Sequence, residues 1–351
     1  MVASHKRIML CEKAPSAKPR CRFLEAFFTI VVFFFGESAV LHAEDAPEFA
    51  RQFLVNVDQI GLGIARSGTG LPTDCCFESQ SVSSLLCNED APQYLHDVDE
   101  DWQLLPSGLM YRSYLAGEKE PRFQFLPMFN TKGGTVLETA MGGRVGLLRY
   151  GTHDSMVPEG WQLDMEGGVL ARLDADRQWD LDAADFRVGF LSTWRQGPDS
   201  FKAGYYHISS HIGDEFLIAN PGFVRLNYVR DSLIVGWTHD LTLDTQVYGE
   251  IGYAFNYDGG ALPLEFQFGV QYSPTCATGL RGAPFSAVNI HIREDYDFAT
   301  SINLAAGWQW RGLESDHRFR VGLQCFNGPS AQYSFGNQHE TLVGGGVWFD
   351  F

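Results

Sequence analysis

From about residue 120 onward, apolar and polar positions alternate with a period of two. Val247, Gly249, Ile251, Tyr253 and Phe255 alternate with Gln246, Tyr248, Glu250, Gly252 and Ala254. Ile302, Leu304, Ala306, Trp308 and Trp310 alternate with Asn303, Ala305, Gly307 and Gln309. Such runs are the signature of strands with two unlike faces. The pattern predicts about twelve strands, at 121–129, 133–149, 160–174, 181–195, 198–208, 222–238, 242–257, 261–275, 283–293, 298–312, 317–326 and 340–351. An even number returns both ends of the sheet to one side of a membrane. The fold class predicted is therefore all-β: a transmembrane up-and-down antiparallel β-barrel.

The alternative is a secreted β-sandwich, in which the apolar face would form a core and the polar face would meet water. Here the polar face carries Gly together with charges of both signs: Arg144, Asp164, Glu166, Arg172, Arg187, Lys202, Arg225, Glu250, Glu265, Arg293, Arg318 and Arg320. In a barrel these would face a narrow lumen and pair across it, leaving it mostly plugged. Trp161, Trp194, Trp237, Trp310 and Trp348 are expected near one set of strand ends, where an aromatic girdle belongs. In ETLVGGGVWFDF, Val343, Gly345, Val347, Phe349 and Phe351 share a face. This stretch resembles the C-terminal signature of bacterial outer-membrane barrels, which implies that the barrel assembly machinery reads Phe351.

The N-terminal part reads differently. Basic residues, the apolar run FLEAFFTIVVFFF, small residues and then EDAPE predict a signal peptide over 1–43, with an N-terminal anchor as the alternative. Residues 44–107 predict a periplasmic extension, and 108–351 the barrel. The whole chain has 26 basic and 43 acidic residues; without residues 1–43 these become 20 and 40. That balance argues against nucleic acid as a partner and suits an exported protein of the bacterial outer membrane, with membrane lipids as its surroundings. Cys75 or Cys76 could pair with Cys87 in an oxidising compartment.

The stretch GYYHISSHIGDEF, residues 204–216, is the densest in candidate chemistry. It ends the fifth predicted strand. Parity groups His207 and Ser209 with Phe201, Ala203 and Tyr205, opposite Lys202, so both should face lipid. Polar side chains are costly there unless they serve a function. A His and a Ser two apart on one strand face can act as base and nucleophile toward a lipid ester. His211, Asp214 and Glu215 are candidate metal ligands, and two carboxylates in a Gly-containing loop would suit Ca²⁺. The competing reading is a polar rim without chemistry. The charges of YLAGEKEPRF, residues 114–123, are expected to pair at the barrel entrance.

The His-x-Ser pair resembles outer-membrane phospholipase A, a twelve-strand barrel with a His-x-Ser-Asn-Gly motif facing the membrane. That resemblance gives His207 the base role and Ser209 the nucleophile role. Ser210 and His211 stand where that family has Asn and Gly. The orienting Asn would come from the next strand, for which Asn220 and Asn227 are candidates. GLMYRSYLAGEKEPRF with YHISSHIGDE resembles the bacterial domain-of-unknown-function family 1207 over roughly residues 100–351. Two functions are expected from these readings. The first is an outer-membrane barrel with a structural or transport role; the second is a lipid ester hydrolase of phospholipase or lipid A deacylase type.

Overall fold

A computed structural model of the protein describes residues 100–153, 157–312 and 317–351. The expected signal peptide at 1–43, residues 44–99 of the expected extension, and Cys75, Cys76 and Cys87 lie outside the described residues.

The strands are β1 (Glu100–Leu104), β2 (Phe123–Asn130), β3 (Thr135–Thr152), β4 (Gly160–Asp174), β5 (Asp180–Gln196), β6 (Asp199–Ile212), β7 (Tyr228–Asp240), β8 (Thr245–Asp258), β9 (Leu264–Tyr272), β10 (Ala283–Arg293), β11 (Ala299–Arg311), β12 (Arg318–Pro329) and β13 (His339–Asp350). A short helix, α1 (Asp214–Ala219), follows β6. From β2 onward every strand pairs antiparallel with its sequence neighbours, and β13 closes on β2 through Val343↔Phe129 and Phe349↔Phe123. The result is a closed antiparallel barrel of twelve strands, β2 to β13, with β1 paired to β3 alone.

β1 departs from the expected pattern. The sequence places residues 100–107 in a loose extension, but Glu100–Leu104 pair with the far half of β3, from Glu100↔Thr152 to Leu104↔Leu148. β2 pairs with the near half, from Phe129↔Thr135 to Gln124↔Ala140. Two segments thus share the first wall position, and the chain between them, residues 105–122, leaves the wall.

The period-two pattern sorts side chains as expected. Along β6, Ser200, Lys202, Tyr206, Ile208, Ser210 and Ile212 are buried, whereas Phe201, Ala203 and His211 are exposed. The expected lumen charges face inward, apart from Arg225. β7 begins at Tyr228 rather than at residue 222, so Arg225 lies exposed in the preceding loop and Arg230 takes an inward position. Trp161, Trp194, Trp237 and Trp310 sit near one rim on the outward face. Trp348 does not join them, because it has the opposite parity to Phe349. It is buried in the lumen, edge-on to Phe285, and donates to Gln124 Oε1 at 3.1 Å.

Inward charges are satisfied in networks. Glu166 accepts from Arg144 Nη2 at 2.7 Å and from Arg187 Nε at 2.8 Å. Arg172 bridges Glu138 and Glu340, at 2.5 and 2.6 Å. Removing one partner of a buried ion pair strands the other charge. Glu166→Gln is therefore expected to lower stability by about 3–5 kcal/mol, read from the urea unfolding midpoint in lipid vesicles. An unchanged midpoint would show that the two guanidiniums do not depend on Glu166.

Candidate functional site

Two places collect chemistry: the lumen and one stretch of the outward face. In the lumen, residues 106–122 thread through the barrel. Tyr111, Tyr114, Leu115 and Ala116 are at most 1% exposed. Arg112 pairs with Asp240 at 3.0 Å, Arg122 with Asp350 at 3.4 Å, Glu120 with Arg144 at 3.5 Å, and Lys119 with Asp185. Lys202, bound to Glu250 at 2.5 Å, lies over the Tyr111 and Tyr114 rings at 4.7 and 4.5 Å. Tyr114 also stacks on Tyr248 at 3.9 Å. Backbone is held too: Leu115 O accepts from Arg122 at 2.8 Å, and Ala116 O accepts from Asn303 at 2.8 Å.

The wall leaves room for this segment. A Cβ on Gly236 would come within 2.7 Å of the Tyr111 hydroxyl. YLAGEKEPRF therefore lies inside the barrel rather than at its entrance, because the wall offers it partners along the lumen. One cavity beside it, lined by Leu115, Glu118, Lys119 and Arg122 among others, has a volume of about 30 Å³, room for roughly one or two waters. At one end the loop 330–338 folds inward. Tyr333 packs on Tyr228, Phe335 packs on Phe216 and Phe223, and Ser334 Oγ meets Ser210 Oγ at 2.6 Å.

The outward cluster centres on Asp231 of β7. His207↔Asp231 is a direct cross-strand pair. His207 Nδ1 stands 2.8 Å from Asp231 Oδ1, the same oxygen that accepts from Tyr205 Oη at 2.6 Å. Asn256 Nδ2 of β8 donates to Oδ2 at 2.6 Å. A register shift between Asp231 and Ser232 in the β7–β8 pairing sets Asn256 opposite Asp231. Such bulges re-aim side chains and are common beside active sites. Ser209, two residues beyond His207, shares the same outward face. Its Oγ has no hydrogen-bond partner among the described residues, and neither has His207 Nε2.

The other predicted site residues are not brought to this cluster. Asn220 donates from its side chain to Phe216 O at 2.9 Å, closing its own helix end, and Asn227 is exposed in the loop before β7. The metal set does not assemble. His211 packs edge-on against Phe186 at the end of β6, while Asp214 and Glu215 open α1 beyond Gly213. Among the described residues, no three His, Cys, Asp or Glu side chains are grouped to hold a metal ion. Asp231 was the residue missing from the sequence reading. Its signal is parity: it shares the outward face with Leu233, Val235 and Trp237, where an acid is out of place.

Residues 101–351 match the family model described as Protein of unknown function (DUF1207). The chain belongs to this family. The DUF1207 barrel is also similar in fold to solved outer-membrane barrels. Outer membrane phospholipase A from Escherichia coli is 10% identical with a TM-score of 0.44, over 66% of this chain and 90% of that one. The Salmonella typhi outer membrane phospholipase dimer with bound calcium is 10% identical with a TM-score of 0.44, over 69% and 95%. The KdgM porin is 11% identical with a TM-score of 0.38, over 65% and 98%. No curated protein matches the sequence. These similarities concern the barrel alone.

The filled lumen makes a direct prediction. In planar bilayers the full DUF1207 barrel is expected to show no steady single-channel conductance. A stable ohmic channel in the unmodified protein would show that residues 106–122 leave the lumen.

Proposed function

We propose that this protein is a barrel of the bacterial outer membrane that hydrolyses ester bonds of membrane lipids at its outward face. Ser209 is the nucleophile, His207 the general base and Asp231 the group that orients it. The observation that carries the reading is the His207 Nδ1–Asp231 Oδ1 contact of 2.8 Å on a lipid-facing surface, with Ser209 on the same face.

The arrangement gives each group a role. With Asp231 bound at Nδ1, the neutral imidazole keeps its proton there and presents Nε2 as the base. Tyr205 and Asn256 fill further acceptor positions of Asp231 and hold it in place. Ser209 Oγ attacks the ester carbonyl carbon as its proton passes to His207 Nε2. The same proton then goes to the departing alcohol, leaving a lysolipid and an acyl-serine. Water, deprotonated by His207, cleaves the acyl-serine and releases the fatty acid. Closing of the His207–Ser209 contact accompanies substrate binding, since catalytic hydrogen bonds commonly tighten only in the complex.

Position supports a lipid substrate. His207 lies eight residues along β6 from Asp199, at the rim that carries the tryptophans. At about 3.3 Å per residue and a tilt of about 40°, that is roughly 20 Å up an apolar band about 25 Å tall. The cluster then sits near the opposite edge of the band, where ester groups are found. The transport reading is the weaker one, since a solute path would have to displace residues 106–122 and their ion pairs.

The test is lipid mass spectrometry on phosphatidylethanolamine vesicles holding the purified protein. Unmodified protein is expected to produce lysophospholipid and free fatty acid, Ser209→Ala none, and Asp231→Ala at least about 10²-fold less. Equal lysophospholipid from unmodified protein and folded Ser209→Ala would sink the assignment.

A further inference from the structure

The split first strand leaves a lateral cleft in the barrel wall. It has a volume of about 360 Å³ and lies between residues 105–109, the middle of β3 and the end of β13. Leu105, Pro106, Leu109, Val145, His317 and Phe351 supply most of its side-chain lining. Its mouth opens on the outward face. Val145 is 46% exposed and Leu105 72%, and next to them Met141, Met165 and Phe123 are exposed as well. Val145 is paired in register with Met165, so both belong to the apolar surface of the wall.

Polar groups at the back of the cleft are already engaged. Arg144 is bound to Glu166, and Arg149 Nη2 donates to Ser107 O and Gly108 O at 2.9 Å each. The His317 ring stands edge-on to Phe349 and Phe351 at 5.7 and 5.5 Å. Ordered water needs two to four polar partners, and this predominantly apolar lining holds it poorly. An empty cleft of this size would forfeit dispersion contacts on all its walls. In a bilayer the material available to fill it is hydrocarbon.

We propose that this cleft seats one acyl chain of a membrane phospholipid. The inference rests on the membrane reading of the barrel and is independent of the hydrolase assignment. The chain enters sideways from the bilayer, between β3 and the end of β13, and lies against residues 105–109 where the segment turns into the lumen. The cleft therefore holds a lipid in a fixed place, whereas the rest of the outward face meets lipids that exchange freely.

The test uses the full chain in phosphatidylethanolamine vesicles that contain phosphatidylethanolamine with a photoreactive diazirine near the end of one acyl chain. After illumination, labelled peptides are mapped by mass spectrometry. Label on residues 105–109 and 143–146 is expected about tenfold above that on the outward faces of β8 and β9, a preference of about 1.4 kcal/mol. Val145→Trp, which fills the cleft from its exposed side, should bring the ratio down to the level of β8 and β9. Val145→Ala, which widens it, should keep the preference. Even labelling of all outward faces in the unmodified protein would overturn the cleft proposal while upholding the membrane reading. No label on any outward face would overturn both.

Discussion

A charge in a narrow lumen has no bulk water to turn to, so every inward ionic group needs a partner supplied by the chain. That requirement organises the interior of this barrel. The wall contributes Glu166, Asp185, Asp240, Glu250 and Asp350, and the segment 106–122 brings Arg112, Lys119, Glu120 and Arg122 to meet wall groups of opposite sign. Residues such as Arg144 and Asp350 bind wall and segment together. The lumen segment is thus part of the core in the energetic sense, although it is made of charges and tyrosines.

With the barrel in a bilayer, as proposed, the opposite rule governs the outside. Lipid offers no hydrogen bonds, so polar groups there must satisfy one another or meet headgroups. The Asp231 cluster does the first: Tyr205, His207 and Asn256 all turn to the same carboxylate. What it leaves over is one imidazole nitrogen and one serine hydroxyl. The proposed hydrolysis makes use of these two groups, which an interfacial anchor would not need. The Asp199–His239–Trp237 group at the other rim has the same acid–imidazole contact, at 2.9 Å. Its hydroxyl neighbours Ser200 and Thr238 face the lumen, so it lacks an outward nucleophile.

Much of the fold was legible because strand alternation reports on two environments at once. Strand positions, the barrel class and the outward placement of His207 and Ser209 follow from parity alone. The missing orienting residue has a different cause, which is that parity carries no register. Asp231 could be placed outward from its neighbours, yet its position directly across from His207 depends on the length of the loop 213–227 and on where β7 begins. The same loop carries Asn220 and Asn227, which the His-x-Ser resemblance offers as orienting residues but which lie away from His207. Residues 106–122 have no period of two and are rich in charge, so their charges read as pairs at the barrel entrance; their partners are scattered from Arg144 to Asp350 and meet only in the closed barrel. Trp348 was a lapse of parity, since Phe349 beside it was already assigned to the outer face.

The split first strand has a consequence for the lumen filling. Residues 105–122 are tethered to the wall on both sides, by β1 at one end and by β2 at the other. The seam between β13 and β2 closes the ring beside the strand into which the segment runs. The filling is therefore anchored to the wall at both ends and could leave the lumen only as a loop.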